Sequence, residues 1–356
     1  MRNTRFRETE LLGGLEEAVQ ARLPLGWTVA LRPTRQRGLL AADVDATLAI
    51  AGPDGRTPTE IAVTAKTGRL TPKEALQLAM WAPTGRSGQI LVAAPYLSRR
   101  ACALLASNGF GYFDMTGNLR ISLERPVLYL ETQGADRDPW GTTRSLGSLR
   151  GPAAARVVRA LCDFRPPYGV RDLGERIKVP APTVSRVVEL LEQESLIERE
   201  PRGPVRRANP APITRRWVED YGLLTSNRTA SYVAPRGVPW LCTRLAEWDG
   251  HYAVTGSLAV PNELRVAPPR LAVVYVDSFA NAVTSLDLRE ADTGTNVLLV
   301  ESFGGIAWQR TRMNDDLPCV ALSQAAADLL TSPGRGPAEG DELLAWMGGH
   351  EDAWRA

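Results

Sequence analysis

The 356-residue sequence predicts a multidomain α/β protein in which a winged, three-helix segment separates two mixed segments. Three observations carry this. The length suggests two or three domains at roughly 150 residues each. Strand-like and helix-like periodicities alternate over residues 1–133 and again over 240–356. Between them, residues 153–200 hold three helical patterns in quick succession, followed by a hairpin pattern.

The first segment opens with an amphipathic helix near Glu8–Leu23, where Leu11, Leu12, Leu15, Val19 and Leu23 recur at helical spacing. Strand patterns follow at Trp27–Arg32, Asp43–Ile50 and Thr59–Ala65, the last two joined through Gly52-Pro53-Asp54-Gly55. A helix is expected at Pro72–Trp81, with Thr71 as N-cap, Pro72 at the first helical position and Glu74 completing a capping box. Gln89–Ala94 reads as a buried strand and Ser98–Asn108 as a helix stopped by Asn108-Gly109. Tyr112–Asp114 and Leu119–Leu123 read as strands.

Residues 134–150 are rich in Gly, Ser, Thr and Arg and read as a linker. In the middle segment, 151–224, helices are expected at Ala153–Asp163, at Val170–Ile177 and from Pro182 onward. In the third helix Val184, Val187, Val188 and Leu191 form the inner stripe. Thr183, Ser185, Arg186, Glu189 and Gln193 are left on or near the outer face. Ile197–Glu200 and Val205–Arg207 flank an Arg202-Gly203 turn. Three helices and a two-stranded wing make a winged helix-turn-helix.

Residues 225–239 read as a second junction. Beyond it, the 240–356 segment should hold a helix near Trp240–Trp248 and strands at Tyr252–Thr255, Leu271–Val276 and Asn296–Val300. Helices at Ser323–Leu330 and Glu339–Met347 complete it.

Composition narrows the function classes. With 44% hydrophobic and 23% charged residues the chain has the balance of a soluble globular protein. No apolar run approaches the ~20 residues of a membrane span. The N-terminus lacks the apolar core of a secretory signal, so a cytoplasmic location is expected. The cysteines Cys102, Cys162, Cys242 and Cys319 are scattered, which fits neither a disulfide framework nor a zinc site. The two histidines, His251 and His350, leave little room for a His-centred triad or a His-rich metal site. No phosphate-cradling glycine loop or hydrolase elbow is present. No cofactor, no resident metal and no catalytic residue are expected, and the chain reads as a non-enzyme. Arginine replaces lysine nearly everywhere, leaving Lys66, Lys73 and Lys178, as genomic codon bias would produce.

The net charge of +2 hides an asymmetry. Residues 1–150 carry +5, 151–225 carry +3 and 226–356 carry −6. Phosphate contact therefore belongs to the first two segments, and a partner protein or small effector to the third.

The outer face of the third middle helix suits double-stranded DNA. Its N-terminal residues would sit at base edges of the major groove, with Arg186 able to pair bidentately with guanine. The expected DNA-binding residues are Pro182, Thr183, Ser185, Arg186 and Glu189, with Arg202, Arg206 and Arg207 on the wing.

Four resemblances extend this reading. The stretch from Val179-Pro180-Ala181-Pro182 through Ile197-Glu198-Arg199-Glu200 resembles the recognition-helix-to-wing region of bacterial winged-helix regulators. The phrases Tyr112-Phe-Asp114-Met-Thr-Gly117-Asn118-Leu-Arg120, Thr255-Gly256-Ser257-Leu-Ala259 and Asp328-Leu-Leu-Thr-Ser-Pro-Gly334-Arg335-Gly-Pro337 resemble actinobacterial winged-helix proteins related to AbiEi-type antitoxins. That resemblance implies a transcriptional autorepressor paired with a toxin, although here the winged helix is central rather than N-terminal.

Asp43 and Asp45 on one strand, with Val63-Thr64-Ala65-Lys66 ending the next, resemble the PD-(D/E)XK nuclease core. Thr64 stands where that core needs its second carboxylate. The resemblance thus implies a degenerate site of Asp43, Asp45, Thr64 and Lys66. Thr255-Gly256-Ser257 resembles the Gly-Ser turn of nucleotidyltransferase folds, but no acidic pair follows it.

The leading expectation is a sequence-specific double-stranded DNA-binding transcriptional regulator. Two alternatives stay open: an antitoxin-like interaction protein and a metal-dependent DNA nuclease. A homodimer is compatible with the first.

Overall fold

The computed structural model describes residues 6–36, 44–53, 57–80, 90–140, 148–201, 203–265, 268–291 and 293–356. The chain forms two compact units, residues 1–145 with 193–195 and residues 146–192 with 196–356.

The first unit is one mixed seven-stranded sheet with helices on both faces. Its elements run α1 (Glu8–Gln20), β1 (Thr28–Gln36), β2 (Val44–Ala51), β3 (Thr59–Ala65), α2 (Pro72–Met80), β4 (Ile90–Ala94), α3 (Arg99–Ser107), β5 (Gly111–Asp114), β6 (Leu119–Glu124) and β7 (Val127–Thr132). The strands lie side by side in chain order. Only β3–β4 and β4–β5 are parallel, and the helices α2 and α3 make these two crossovers.

The sheet is covered twice because its central strands alternate apolar residues to both sides. Leu91 and Ala93 join Leu12, Leu15 and Val19 of α1. Val92 and Ala94 join Ala75 of α2 and Ala101 and Leu105 of α3. The Thr71–Glu74 capping box forms as expected: the Thr71 N–H donates to Glu74 at 2.8 Å, and the Glu74 N–H to Thr71 Oγ1 at 3.2 Å. Ser98 caps α3 through the Ala101 N–H. Strand β7 was not anticipated, because its alternation of Val127, Leu128, Tyr129 and Leu130 leaves large apolar groups exposed on one face.

The Tyr112–Arg120 phrase is a structural turn. Asp114 is fully buried between β5 and β6. Its carboxylate accepts the N–H groups of Leu97, Thr116 and Asn118, the Thr116 hydroxyl and the Asn118 amide. Gly117 provides the left-handed residue of the turn.

The second unit begins with α4 (Pro152–Asp163), α5 (Val170–Ile177), α6 (Ala181–Gln193), β8 (Ile197–Arg199) and β9 (Val205–Ala208). It continues through α7 (Pro210–Trp217), α8 (Leu223–Ser226), β10 (Arg228–Tyr232), α9 (Gly237–Glu247), β11 (Tyr252–Thr255), β12 (Ala272–Val276), α10 (Phe279–Ser285) and β13 (Val297–Glu301). It ends with β14 (Arg312–Asn314), β15 (Leu317–Cys319), α11 (Leu322–Leu330), α12 (Gly336–Gly349) and α13 (Glu351–Trp354). Its six-stranded sheet has the order β10-β13-β12-β11-β15-β14, with β12–β13 and β11–β15 parallel.

The stretch 225–239, read from sequence as a junction, is structured. Strand β10 pairs with β13 from Arg228–Glu301 to Tyr232–Val297, and α9 starts at Gly237. Its strand residues are only half-buried on the sheet edge, so the apolar signal that marks a strand is weak.

The winged-helix residues and the following α/β residues share one compact unit because buried polar groups join them. Arg159 of α4 is 1% exposed. It donates to Ser323 Oγ, Gln324 Oε1, the Ile306 and Gln309 carbonyls and the Asp163 carboxylate. Trp217 and Tyr221 stack at 4.5 Å, as their i, i+4 spacing allows. The Tyr221 hydroxyl donates to Asp328 at 2.7 Å. Among the described residues no helix is long and apolar enough to cross a membrane.

Candidate nucleic-acid interface

The helix-turn-helix is built from α5, a tight turn and α6. Gly174 on α5 lies so close to the turn that a Cβ there would meet the Val179 carbonyl oxygen at 2.8 Å. Lys178 closes α5 in the left-handed conformation, at φ 53 and ψ 47. Its N–H donates to the Glu175 carbonyl, and the Val179 N–H to that of Gly174. Pro180 then opens α6 by accepting the N–H groups of Thr183 and Val184.

Helix α6 buries Val184, Val187, Val188, Leu190 and Leu191. That stripe leaves Pro182, Arg186 and Glu189 exposed and Thr183 and Ser185 half-buried. All five predicted residues thus lie on one helix, away from the core. The Arg186 guanidinium folds back onto the first turn, donating to the Pro182 carbonyl at 3.2 Å and Thr183 Oγ1 at 3.3 Å. Both partners are neutral, so its charge is not cancelled. Ser185 donates to Glu189 at 3.0 Å and holds that carboxylate along the helix.

The wing is a hairpin in which Ile197 pairs with Ala208 and Glu198 with Arg207. Tyr168, between α4 and α5, adds a third strand position by exchanging hydrogen bonds with Val205. Two of the arginines expected on the wing are engaged in ion pairs there. Arg206 pairs with Glu200 at 2.7 Å, and Arg207 with Glu198 at 3.6 Å. At the wing base, Arg199 pairs with Glu192 at 3.4 Å. Arg202 lies outside the described residues.

Two cations escaped the sequence reading. Arg171 on the outer side of α5 and Lys178 in the turn are exposed and have no side-chain partner among the described residues. Lys178 lies in the turn that leads into α6, and Arg171 in the first turn of α5. The scarcity of lysine was the signal that could have singled out Lys178.

The nuclease-like residues are partly placed. Asp43 lies outside the described residues. Asp45, at the start of β2, accepts the Ala65 N–H from β3 at 2.7 Å. Thr64 is buried, and Lys66 lines an open groove with Arg69, Glu74 and Gln77. Glu60 is exposed at the other end of β3, away from this groove. Among the described residues no three His, Cys, Asp or Glu side chains gather as metal ligands.

In the nucleotidyltransferase-like stretch, Gly256 makes a left-handed turn after β11, and the Ser257 hydroxyl donates to Glu339. The Thr255 hydroxyl donates to the buried Asp328 at 2.7 Å. Asp328 also accepts from Tyr221, Tyr275 and Gln324, and burial holds its carboxyl above the usual carboxylate range. The two antitoxin-like phrases of this segment therefore meet in its core as a structural polar cluster. His251 is exposed and hydrogen-bonds Asp277 at 2.8 Å.

Residues 151–208 match the family model described as MarR family. No curated protein and no solved structure matches the chain.

Proposed function

We propose that the chain is a sequence-specific double-stranded DNA-binding transcriptional regulator that reads the major groove with α6. The observation that carries this reading is the geometry of α6 inside a MarR-type winged helix. Its stripe of valines and leucines is buried, and its opposite face presents Thr183, Ser185, Arg186 and Glu189. Those side chains offer hydroxyl donors, a guanidinium and a carboxylate, the groups that discriminate base edges. Lys178 and Arg171 supply phosphate contacts that fix the register. MarR-family proteins bind DNA, commonly as dimers, which supports a two-fold-symmetric site read by two copies.

The first unit acts as a nuclease-like scaffold without catalysis. Asp45 is engaged with backbone, and Thr64 cannot serve as a charged ligand for a hard cation. Lys66 and Arg69 in the neighbouring groove suit additional phosphate contacts. The acidic residues 226–356 keep that part of the second unit away from phosphate and available to an effector or a protein partner.

Selection of bound duplexes from a random library tests the reading. Enrichment of one motif, arranged as an inverted repeat, is the expected result. Retention of DNA without any motif contradicts it.

A further inference from the structure

We propose that Glu198 and Glu200 are affinity-tempering residues of the wing, which suppress sequence-blind phosphate attraction while base readout stays with α6. The inference rests on the DNA-binding reading above.

The cations near the interface fall into two groups. Arg206 and Arg207 are each matched by a carboxylate on the facing part of the same hairpin. Arg186 donates only to a carbonyl and a hydroxyl, and Lys178 and Arg171 have no side-chain partner among the described residues. Two of the wing's arginines, Arg206 and Arg207, are therefore each offset by a carboxylate of the wing itself.

Both wing pairs are open to water, with Arg207 and Glu198 74% and 71% exposed. Exposed pairs of this kind restrain their partners weakly. The arginines can turn to phosphate, but the glutamates remain beside them and repel it. Their effect is one of local charge. Affinity for any duplex rises with the number of phosphates a protein neutralises, whereas discrimination comes from base edges. Offsetting Arg206 and Arg207 lowers the first quantity and leaves the second intact.

The test uses the full chain in three forms: wild type, Glu198→Gln/Glu200→Gln, and Glu198→Asp/Glu200→Asp. Each is titrated against the duplex that wild type selects and a scrambled duplex of equal length, between about 50 and 200 mM salt. The Gln variant should bind the scrambled duplex about 3- to 10-fold more tightly, with a slope of log K against log salt steeper by up to about 2. Its affinity for the selected duplex should rise by a similar factor, so that the preference is kept, while the Asp variant keeps the wild-type affinities. Unchanged affinities in the Gln variant overturn the proposal, as does a rise confined to one of the two duplexes. Wild type selecting no duplex would instead overturn the DNA reading itself, and shows before any variant is compared.

Discussion

Arg159 and Asp163 stand one turn apart on α4, both almost fully buried, with their charged groups 3.0 Å apart. The pair is completed from far along the chain. Ser323 bonds both members, and Gln324, Ile306 and Gln309 take the remaining guanidinium protons. Helix α4 is thereby part of the winged helix and of the core that follows it.

Removing one member leaves the other charged, buried and unmatched. Arg159→Met should destabilise the second unit by about 3–5 kcal/mol in urea unfolding. Arg159→Met combined with Asp163→Leu should cost less than the sum of the single changes, because neither charge then remains. Additive losses would show that the pair is not coupled.

The Asp328 cluster gives a second stability prediction. Its carboxylate accepts from Thr255, Tyr221, Tyr275 and Gln324, so every neighbour points a proton at it. Asp328→Asn would aim an amide N–H₂ at donors. A loss of about 1–3 kcal/mol is expected from the unpaired buried groups, read as a lower unfolding midpoint.

Alkaline pH should weaken the fold. Burial pushes the Cys162 thiol up to about 12 and the Cys319 thiol up to about 11. Burial also raises the Tyr221 and Tyr275 phenols well above their ordinary value of 10.0. A raised folded-state value means that the unfolded chain releases its proton first. Stability from these groups is complete below the unfolded values and is lost as pH rises through and beyond them. From neutral pH, thermal melts should be flat up to about pH 8.5 and decline above it, from the thiols first and then the phenols. A midpoint unchanged at pH 10.5 would contradict this burial pattern.

Lys178→Ala and Arg171→Ala should each lower the salt slope of DNA binding by about 1 without altering the preferred motif. A changed motif would place these side chains at base edges rather than phosphates.

Supercoiled DNA incubated with Mg²⁺ or Mn²⁺ should remain intact in the presence of the full chain. Cleavage that disappears in Lys66→Ala would restore a nuclease function to the first unit.

Much of the fold is legible in the sequence where one face is buried. The ranges expected for β3, α5 and β11 coincide with those observed. The inner stripe of α6 is the one that its valine spacing predicts. Elements at edges are less legible. Strands β7, β10 and β14 border their sheets, bury little and carry weak alternation. Burial is also illegible at charged positions: nothing in the sequence marks Arg159 and Arg216 as interior, yet each is buried against a carboxylate four residues on. The same blindness applies to the wing, where Arg206 and Arg207 were legible but their pairing with Glu200 and Glu198 depends on the hairpin register.

The central claim is that Arg186 reads a base. Motif selection from a random duplex library, run in parallel with wild type and Arg186→Ala, tests it most directly. One position of the wild-type motif, a guanine, should lose its preference in the variant while the others persist, at a cost of about 1–3 kcal/mol on the best duplex. A motif that is unchanged in Arg186→Ala would contradict the placement of α6 in the major groove.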